Sequence, residues 1–299
     1  MNPSPFMQNL RQRTEQALAS GDLNPLQTQE TVIEDGSLSF VVRWAAALAV
    51  KDAAAPQESK TVLPGGPRDP DFNPFLNPDP ALTIGPMGDE HTIILNKFPV
   101  CLQHLVLARR VFAEQRSPLE RSDFAVLAQL LSQEGGLGFY NGGPEAGASQ
   151  RHMHVQWLPP VPGHASLQPL ATGLPADATE GTLQHHPGLP FAHVFVRVPV
   201  GKGKDVAAGA AALHGGFEQA CAALDLQPGA DGLMPPFNLL AGDGWLLVVP
   251  RLREHFEGVS LNALSFGGTL YVRQPEQVEP IRQAGPLQVL ASVTVGYGG

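Results

Sequence analysis

The chain has 299 residues, 43% of them hydrophobic, which is enough for a sizeable core. Its net charge of −9 argues against a broad basic face for duplex nucleic acid. Its two cysteines, Cys101 and Cys221, exclude by count both a disulfide framework and a cysteine-rich zinc site.

Glycine (32) and proline (29) are abundant and charged residues make up only 16%, the composition of a loop-rich globular protein. No apolar run is long enough to span a membrane and no secretory leader opens the chain, so a cytoplasmic location is expected. Residues 5–20 read as an amphipathic helix stopped by Gly21, with Phe6, Leu10 and Ala17 on one side. Residues 38–50 read as a strand with Lys51 at its end. A proline-rich connection over 52–90 follows, with its first part expected to move and its DFNPFLNPDPAL part expected to pack. Strands are expected at 91–96 and 104–108, and Ser117-Pro118-Leu119-Glu120 reads as the capping box of a helix running to about Gln133. LGFYN is a short strand, GGPEAGASQ a loop and 152–158 a strand, followed by an irregular stretch over 159–190. The second half holds a strand at 191–198 and an alanine-rich helix over about 205–226. FNLLAG and WLLVVP form a hairpin across Asp243-Gly244, and a last helix lies near 275–284. Strands and helices come in runs, and many links are too short for parallel crossovers. The fold class is therefore α+β with mainly antiparallel sheet.

The chemistry concentrates between Tyr140 and Pro159. On a strand, His152, His154 and Gln156 share one face while Met153, Val155 and Trp157 share the other, so one face is chemical and the other belongs to a core. The preceding loop carries Gly142, Gly143 and Gly147, then Ala148, Ser149 and Gln150. Small residues of this kind let backbone N–H groups approach an anion. A neutral imidazole beside such a loop suits attack on phosphorus. Two histidines at this spacing also fit a shared metal ion or an inert polar pair, and spacing alone leaves all three readings open.

The segment NGGPEAGASQRHMHVQ resembles the active-site segment of the ATP adenylyltransferases, the diadenosine tetraphosphate phosphorylases of the histidine-triad superfamily. HTIILNKFPV, DFAVLAQLL, GLGFYNGGP, FNLLAGDGWLLVVPR and GVSLNALSFGGTLYV also resemble family segments, in family order, so the likeness spans roughly residues 30–275. The resemblance implies a histidine-triad-like fold of two fused, related half-units, with a catalytic half over residues 1–165 and a C-terminal half over 185–299. It also implies phosphorolysis of diadenosine tetraphosphate by phosphate to ATP and ADP, through an adenylyl group carried on a histidine. His154 would be that nucleophile, Gln156 would hydrogen-bond near the leaving or entering oxygen, and His152 would brace the ring of His154.

The resemblance also assigns binding residues. Lys51 matches a family lysine that contacts the polyphosphate, Asn96 and Lys97 the Asn-Lys pair after the strand, Asn141 an asparagine of the nucleotide site, and Gly147, Ala148, Ser149 and Gln150 the phosphate-facing loop. Asn262, Ala263 and Leu264 stand at a substrate-contacting triplet, though Ala263 and Leu264 depart from the fungal pattern. Thr269 and Arg273 stand where fungal members have Met and Lys. Small-molecule nucleotides are the expected partners, with neither nucleic acid nor membrane. Mg²⁺ is expected only in company with the nucleotide and not in a dedicated protein site. Two competing readings are a nucleotide-sugar nucleotidyltransferase and a non-catalytic dinucleotide sensor. The residues His91, His104, His185, His186 and His193 read as structural or solvated.

Overall fold

The computed structural model describes residues 4–45 and 73–296. The expected strand end at 46–50, Lys51 and the loop to residue 72 lie outside them. Helix α1 (Pro5–Ser20) is capped by the Ser4 hydroxyl and ends at Gly21, whose left-handed backbone (φ 80°) suits glycine. Strands β1 (Thr28–Asp35) and β2 (Leu38–Ala45) form an antiparallel hairpin, and β14 (Thr269–Val272) joins β2 in parallel. This small sheet unites the two ends of the chain.

The main sheet has nine strands. The first half supplies β3 (Thr83–Met87), β4 (His91–Leu95), β5 (Leu105–Arg109), β6 (Leu137–Gly142) and β7 (His154–Leu158). The second supplies β8 (Leu183–Gln184), β9 (Val194–Arg197), β10 (Phe237–Gly242) and β11 (Trp245–Pro250), with the short helix α3 (Gln168–Ala171) before β8 and a separate small hairpin, β12 (His255–Phe256) and β13 (Val259–Ser260), after β11. Their order is β3-β4-β5-β7-β6-β10-β11-β9-β8, antiparallel throughout, and the halves join where β6 pairs with β10. The order mirrors itself about that junction, with β5-β7-β6 answering β9-β11-β10. Between β10 and β11, Asp243 and Gly244 both take positive φ (51° and 80°), the geometry of a tight two-residue hairpin turn.

One face of this sheet is covered by α1, α2 (Arg121–Glu134) and α4 (Val206–Ala223), the last two packed on each other. Met153, Val155 and Trp157 point into that core beside Phe124 and Phe217. Burying side chains of this size stabilises the fold by roughly 1.5–3 kcal/mol each. The opposite face differs between halves. In the second half it is filled by Phe195, Leu247 and Val249. These pack under the small sheet, under α5 (Ala263–Phe266) and under the C-terminal helices α6 (Val278–Ala284) and α7 (Pro286–Ala291). In the first half it is open, and a cleft lies there.

Two expectations are corrected. The capping box of α2 is formed by Glu120 and Asp123, not by Ser117 and Glu120. Asp123 accepts the Glu120 N–H at 2.8 Å, while the Ser117 N–H is already used in a turn to the Glu114 carbonyl. The proline-rich connection also contains an edge strand, β3. Edge position allows Pro86, because a proline there need not supply a ladder donor on its open side.

Candidate active site

The cleft begins where two strands part. β6 and β7 pair from Leu137–Leu158 to Phe139–Gln156 and then diverge, so Asn141 and His154 do not meet across the ladder. The side chain of Gln115 fills the gap. Its Oε1 accepts the His154 N–H (2.8 Å), and its Nε2 donates to the carbonyls of Asn141 (2.9 Å) and His154 (3.0 Å). One buried carboxamide thus satisfies three main-chain groups that a neighbouring strand would otherwise satisfy.

His154 stands on the cleft wall, 5% exposed. Its Nδ1–H donates to the His152 carbonyl at 2.8 Å, which fixes the tautomer and leaves Nε2 with its lone pair. Nε2 has no hydrogen-bond partner among the described residues. Burial pushes the ring's pKa down to about 4, so it is uncharged near neutrality. The Phe75 ring lies 4.9 Å from it, centroid to centroid. His152 braces His154 through its main chain. Its own ring turns away, with Nε2–H donating to the Arg109 carbonyl (2.7 Å) and Nδ1 accepting from Asn73 (2.9 Å). It lies just outside β7, in an isolated bridge to Glu114.

Gln156 shares the cleft face with His154, and its Oε1 is 2.9 Å from the His104 Nε2. Burial lowers the His104 pKa to about 4, and its Nδ1 is buried without a partner. A buried bare acceptor is tolerated better than an orphaned N–H, so His104 carries its proton on Nε2 and donates it to Gln156. The Gln156 NH₂ is thereby turned to the cleft as a donor. His104, expected to be structural, is the support of a site residue.

Asn141 also reaches the cleft, and its Oδ1 is already occupied by the Asn238 Nδ2 and the Ala263 N–H, both at 2.9 Å. The loop from Gly147 to Gln150 closes one side. Gly147 has φ 86°, and a Cβ there would stand 2.7 Å from the Asn262 Cβ and 3.0 Å from the Leu261 carbonyl, so only glycine lets the loop seat against the second half. Asn96 and Lys97 line the opposite side, with Leu82, Ile94, Phe98 and Val106 as apolar wall. The volume is about 660 Å³, room for a nucleotide-sized ligand.

The structure therefore brings Asn96, Lys97, Asn141, Gly147, Ala148, Ser149, Gln150, His154 and Gln156 to one cleft. It places Asn262, Ala263, Leu264, Thr269 and Arg273 elsewhere, and Lys51 lies outside the described residues. Asn262 caps α5 with its Oδ1 on the Leu264 N–H (3.0 Å), Ala263 is buried, and Leu264 packs in the core. Thr269 lies buried in β14, where it pairs with Val41 and lines a separate cavity of about 220 Å³. Arg273 is exposed beyond β14, its N–H on the Gln277 side chain. None of Ala263, Leu264, Thr269 and Arg273 lines the cleft among the described residues, because α5 and β14 turn those positions into packing or outward.

A bare imidazole nitrogen, an inward carboxamide donor and a glycine-seated loop on one cleft define an enzyme site suited to nucleophilic attack on a phosphorylated ligand. Residues 1–175 match the model of the Ap4A phosphorylase N-terminal domain, and residues 187–296 that of the ATP adenylyltransferase C-terminal domain. The chain belongs to the Ap4A phosphorylase family. It is 27% identical to the Saccharomyces cerevisiae protein "Diadenosine 5',5'''-P1,P4-tetraphosphate phosphorylase 2" over 92% of this chain and 91% of that one. Saccharomyces cerevisiae "Protein APA1" is 26% identical over 52% of this chain and 50% of its own. The crystal structure of yeast Ap4A phosphorylase Apa2 superposes with a TM-score of 0.73, at 23% identity, over 99% of this chain and 96% of that one. The same yeast enzyme in complex with AMP gives 0.75 over 99% and 98%. The α+β fold is shared.

Proposed function

We propose that this chain transfers an adenylyl group through His154, cleaving diadenosine tetraphosphate with phosphate to give ATP and ADP, reversibly. The observation that carries the reading is the tautomer of His154: Nδ1–H held by the His152 carbonyl, Nε2 bare on the cleft wall. Nε2 attacks an α-phosphorus, a P–N bond forms, and the P–O bond to the departing ATP breaks. The ring becomes cationic, and its Nδ1–H···O=C bond stabilises that charge. A phosphate oxygen then attacks the adduct, the P–N bond breaks, ADP leaves and the ring is neutral again. The Gln156 NH₂ donates to a phosphoryl oxygen as charge builds there, while Asn96, Lys97, Asn141 and the 147–150 loop hold the phosphates and nucleoside. Mg²⁺ travels with the polyphosphate. Among the described residues no group of three or more His, Cys, Asp or Glu side chains gathers to hold a metal. This reading places the enzyme in the cytoplasm. Among the described residues no helix is long and apolar enough to cross a membrane.

The test is product analysis with diadenosine tetraphosphate, with and without phosphate, together with trapping of the adenylylated chain by mass spectrometry. ATP and ADP should form only with phosphate, and the chain should gain one adenylyl group. His154→Ala should lose more than ~10³-fold in rate and all of the adduct while still binding AMP. An adduct that survives in His154→Ala would move the nucleophile elsewhere.

A further inference from the structure

Arg251 follows β11 and is 3% exposed. It makes no ion pair among the described residues. Nε donates to the Val293 carbonyl (3.2 Å), and Nη2 to the carbonyls of Arg253 (2.8 Å), Leu261 (3.0 Å) and Glu254 (3.5 Å). Nη1 donates to the Oδ1 of Asn238. The Phe266 ring lies 5.3 Å from the guanidinium carbon. Burying a guanidinium on carbonyl acceptors, with only the Glu254 carboxylate near enough to favour its charge, costs stability, so its position asks for a use.

A guanidinium only donates. With its Oδ1 taken by Arg251, Asn238 must present Nδ2 on its other side, and that nitrogen donates to the Ala146 carbonyl and the Asn141 Oδ1, each at 2.9 Å. Asn141 stands directly opposite Asn238 across β6 and β10. Its Oδ1 also receives the Ala263 N–H, and Ala263 sits two residues after Leu261, whose carbonyl Arg251 holds. The free group of Asn141 is therefore Nδ2, on the cleft wall. The Ala146 and Tyr140 carbonyls (2.9 and 3.5 Å) and the Ala263 N–H favour the same directions, and Arg251 secures both arms at their far end, through the Asn238 Oδ1 and through the Leu261 carbonyl. Without it the Asn238 Oδ1 is a buried acceptor with no donor and the 261–263 turn loses its tie, so the Asn141 carboxamide is held less firmly.

We propose that Arg251 is a positioning residue of the C-terminal half that acts through Asn238 to hold the Asn141 carboxamide with its NH₂ toward the cleft. That the oriented donor serves a nucleotide rests on the function proposed above; the orientation itself does not.

Two measurements test it. The first needs no ligand. The Asn141 side-chain NH₂ signals in a ¹⁵N correlation spectrum are identified by their loss in Asn141→Asp. In Arg251→Met these signals should shift or double, and in Arg251→Lys, which retains one donor, they should lie nearer wild type. Unmoved signals in folded Arg251→Met overturn the relay. If Arg251→Met does not fold, Asn238→Ala interrupts the relay at its middle and the same criterion applies. The second measurement is AMP titration in two backgrounds. Arg251→Met should weaken AMP by about three- to tenfold in the wild-type background, the worth of one hydrogen bond, and add nothing in Asn141→Ala. Equal losses in both backgrounds overturn the relay. A wild-type protein that binds no AMP would sink the nucleotide reading, while the NMR result would still judge the relay.

Discussion

Three buried histidines should make the fold unusually sensitive to mild acid. Burial lowers the pKa of His104, His154 and His193 to about 4, from an ordinary 6.5. Between these values the unfolded chain binds protons that the folded chain refuses, so stability is intact above about pH 6.5 and falls as pH drops toward 4. At about pH 5 the folded rings remain neutral while an unfolded ring is mostly protonated, which costs about 2 kcal/mol for each and about 6 kcal/mol for three. Against a usual net stability of about 5–15 kcal/mol that is a large share. Asp123 does not blur the window. Burial would raise its pKa, but hydrogen bonds from His91 and Arg109 and the charge of Arg109 hold it below the ordinary 3.8, so its contribution is lost only at lower pH. The assay is urea unfolding followed by tryptophan fluorescence at about pH 7.5 and about pH 5. His193 provides the internal control. It lies away from the cleft, with Nδ1–H on the Phe191 carbonyl (2.7 Å) and Nε2 accepting the His186 N–H (2.8 Å). His193→Asn should lower stability at both pH values yet shrink the difference between them by about 2 kcal/mol. A pH difference below about 1 kcal/mol, or one that His193→Asn leaves unchanged, would refute the reasoning.

Other outcomes follow from the cleft. Gln156→Ala should lower kcat by ~10²–10³-fold with little change in AMP affinity, because its oriented NH₂ acts on charge that develops in the reaction; stopped-flow turnover decides. Lys97→Met should weaken diadenosine tetraphosphate about three- to tenfold and AMP less, with part of the effect reproduced by added salt, and titration of both ligands at two ionic strengths checks this. Gly147→Ala should cost about 1–3 kcal/mol in thermal or urea stability, because its backbone is left-handed and its Cβ would meet Asn262.

The period-two alternation of residues 152–158 placed His154 and Gln156 on one face and Trp157 on the other, because a strand leaves a side chain no third choice. The glycine loop was legible for the same local reason. The supports of these residues were not. His104 reaches Gln156 across 52 positions, and Gln115 reaches His154 across 39, contacts that exist only once the strands are paired. Asn238 opposite Asn141 depends on the junction of the two halves. β1 offers no alternation to read, because Ile33 is its one buried residue and Thr, Gln, Glu and Asp fill most of the rest, and in β3 Gly85 and Pro86 imitate a turn. Family likeness carried Ala263, Leu264, Thr269 and Arg273 toward the substrate. In this chain α5 and β14 absorb the first three into packing and leave the last exposed.

The carboxamide of Gln115 makes the parted strands behave like a zipper held open by a peg. The main-chain groups of Asn141 and His154 are already spoken for, so the fork has no hydrogen bonds left with which to creep shut, and its aperture is set by the length of one glutamine side chain. The His154 amide proton is then a gauge of that peg. It is buried, yet its acceptor is a rotatable side chain and not a strand, so its exchange with solvent deuterium should follow the opening of Gln115 rather than the unravelling of β7. Shortening the peg to asparagine would leave the proton reaching for an oxygen that has withdrawn, and the mouth of the cleft would be free to breathe.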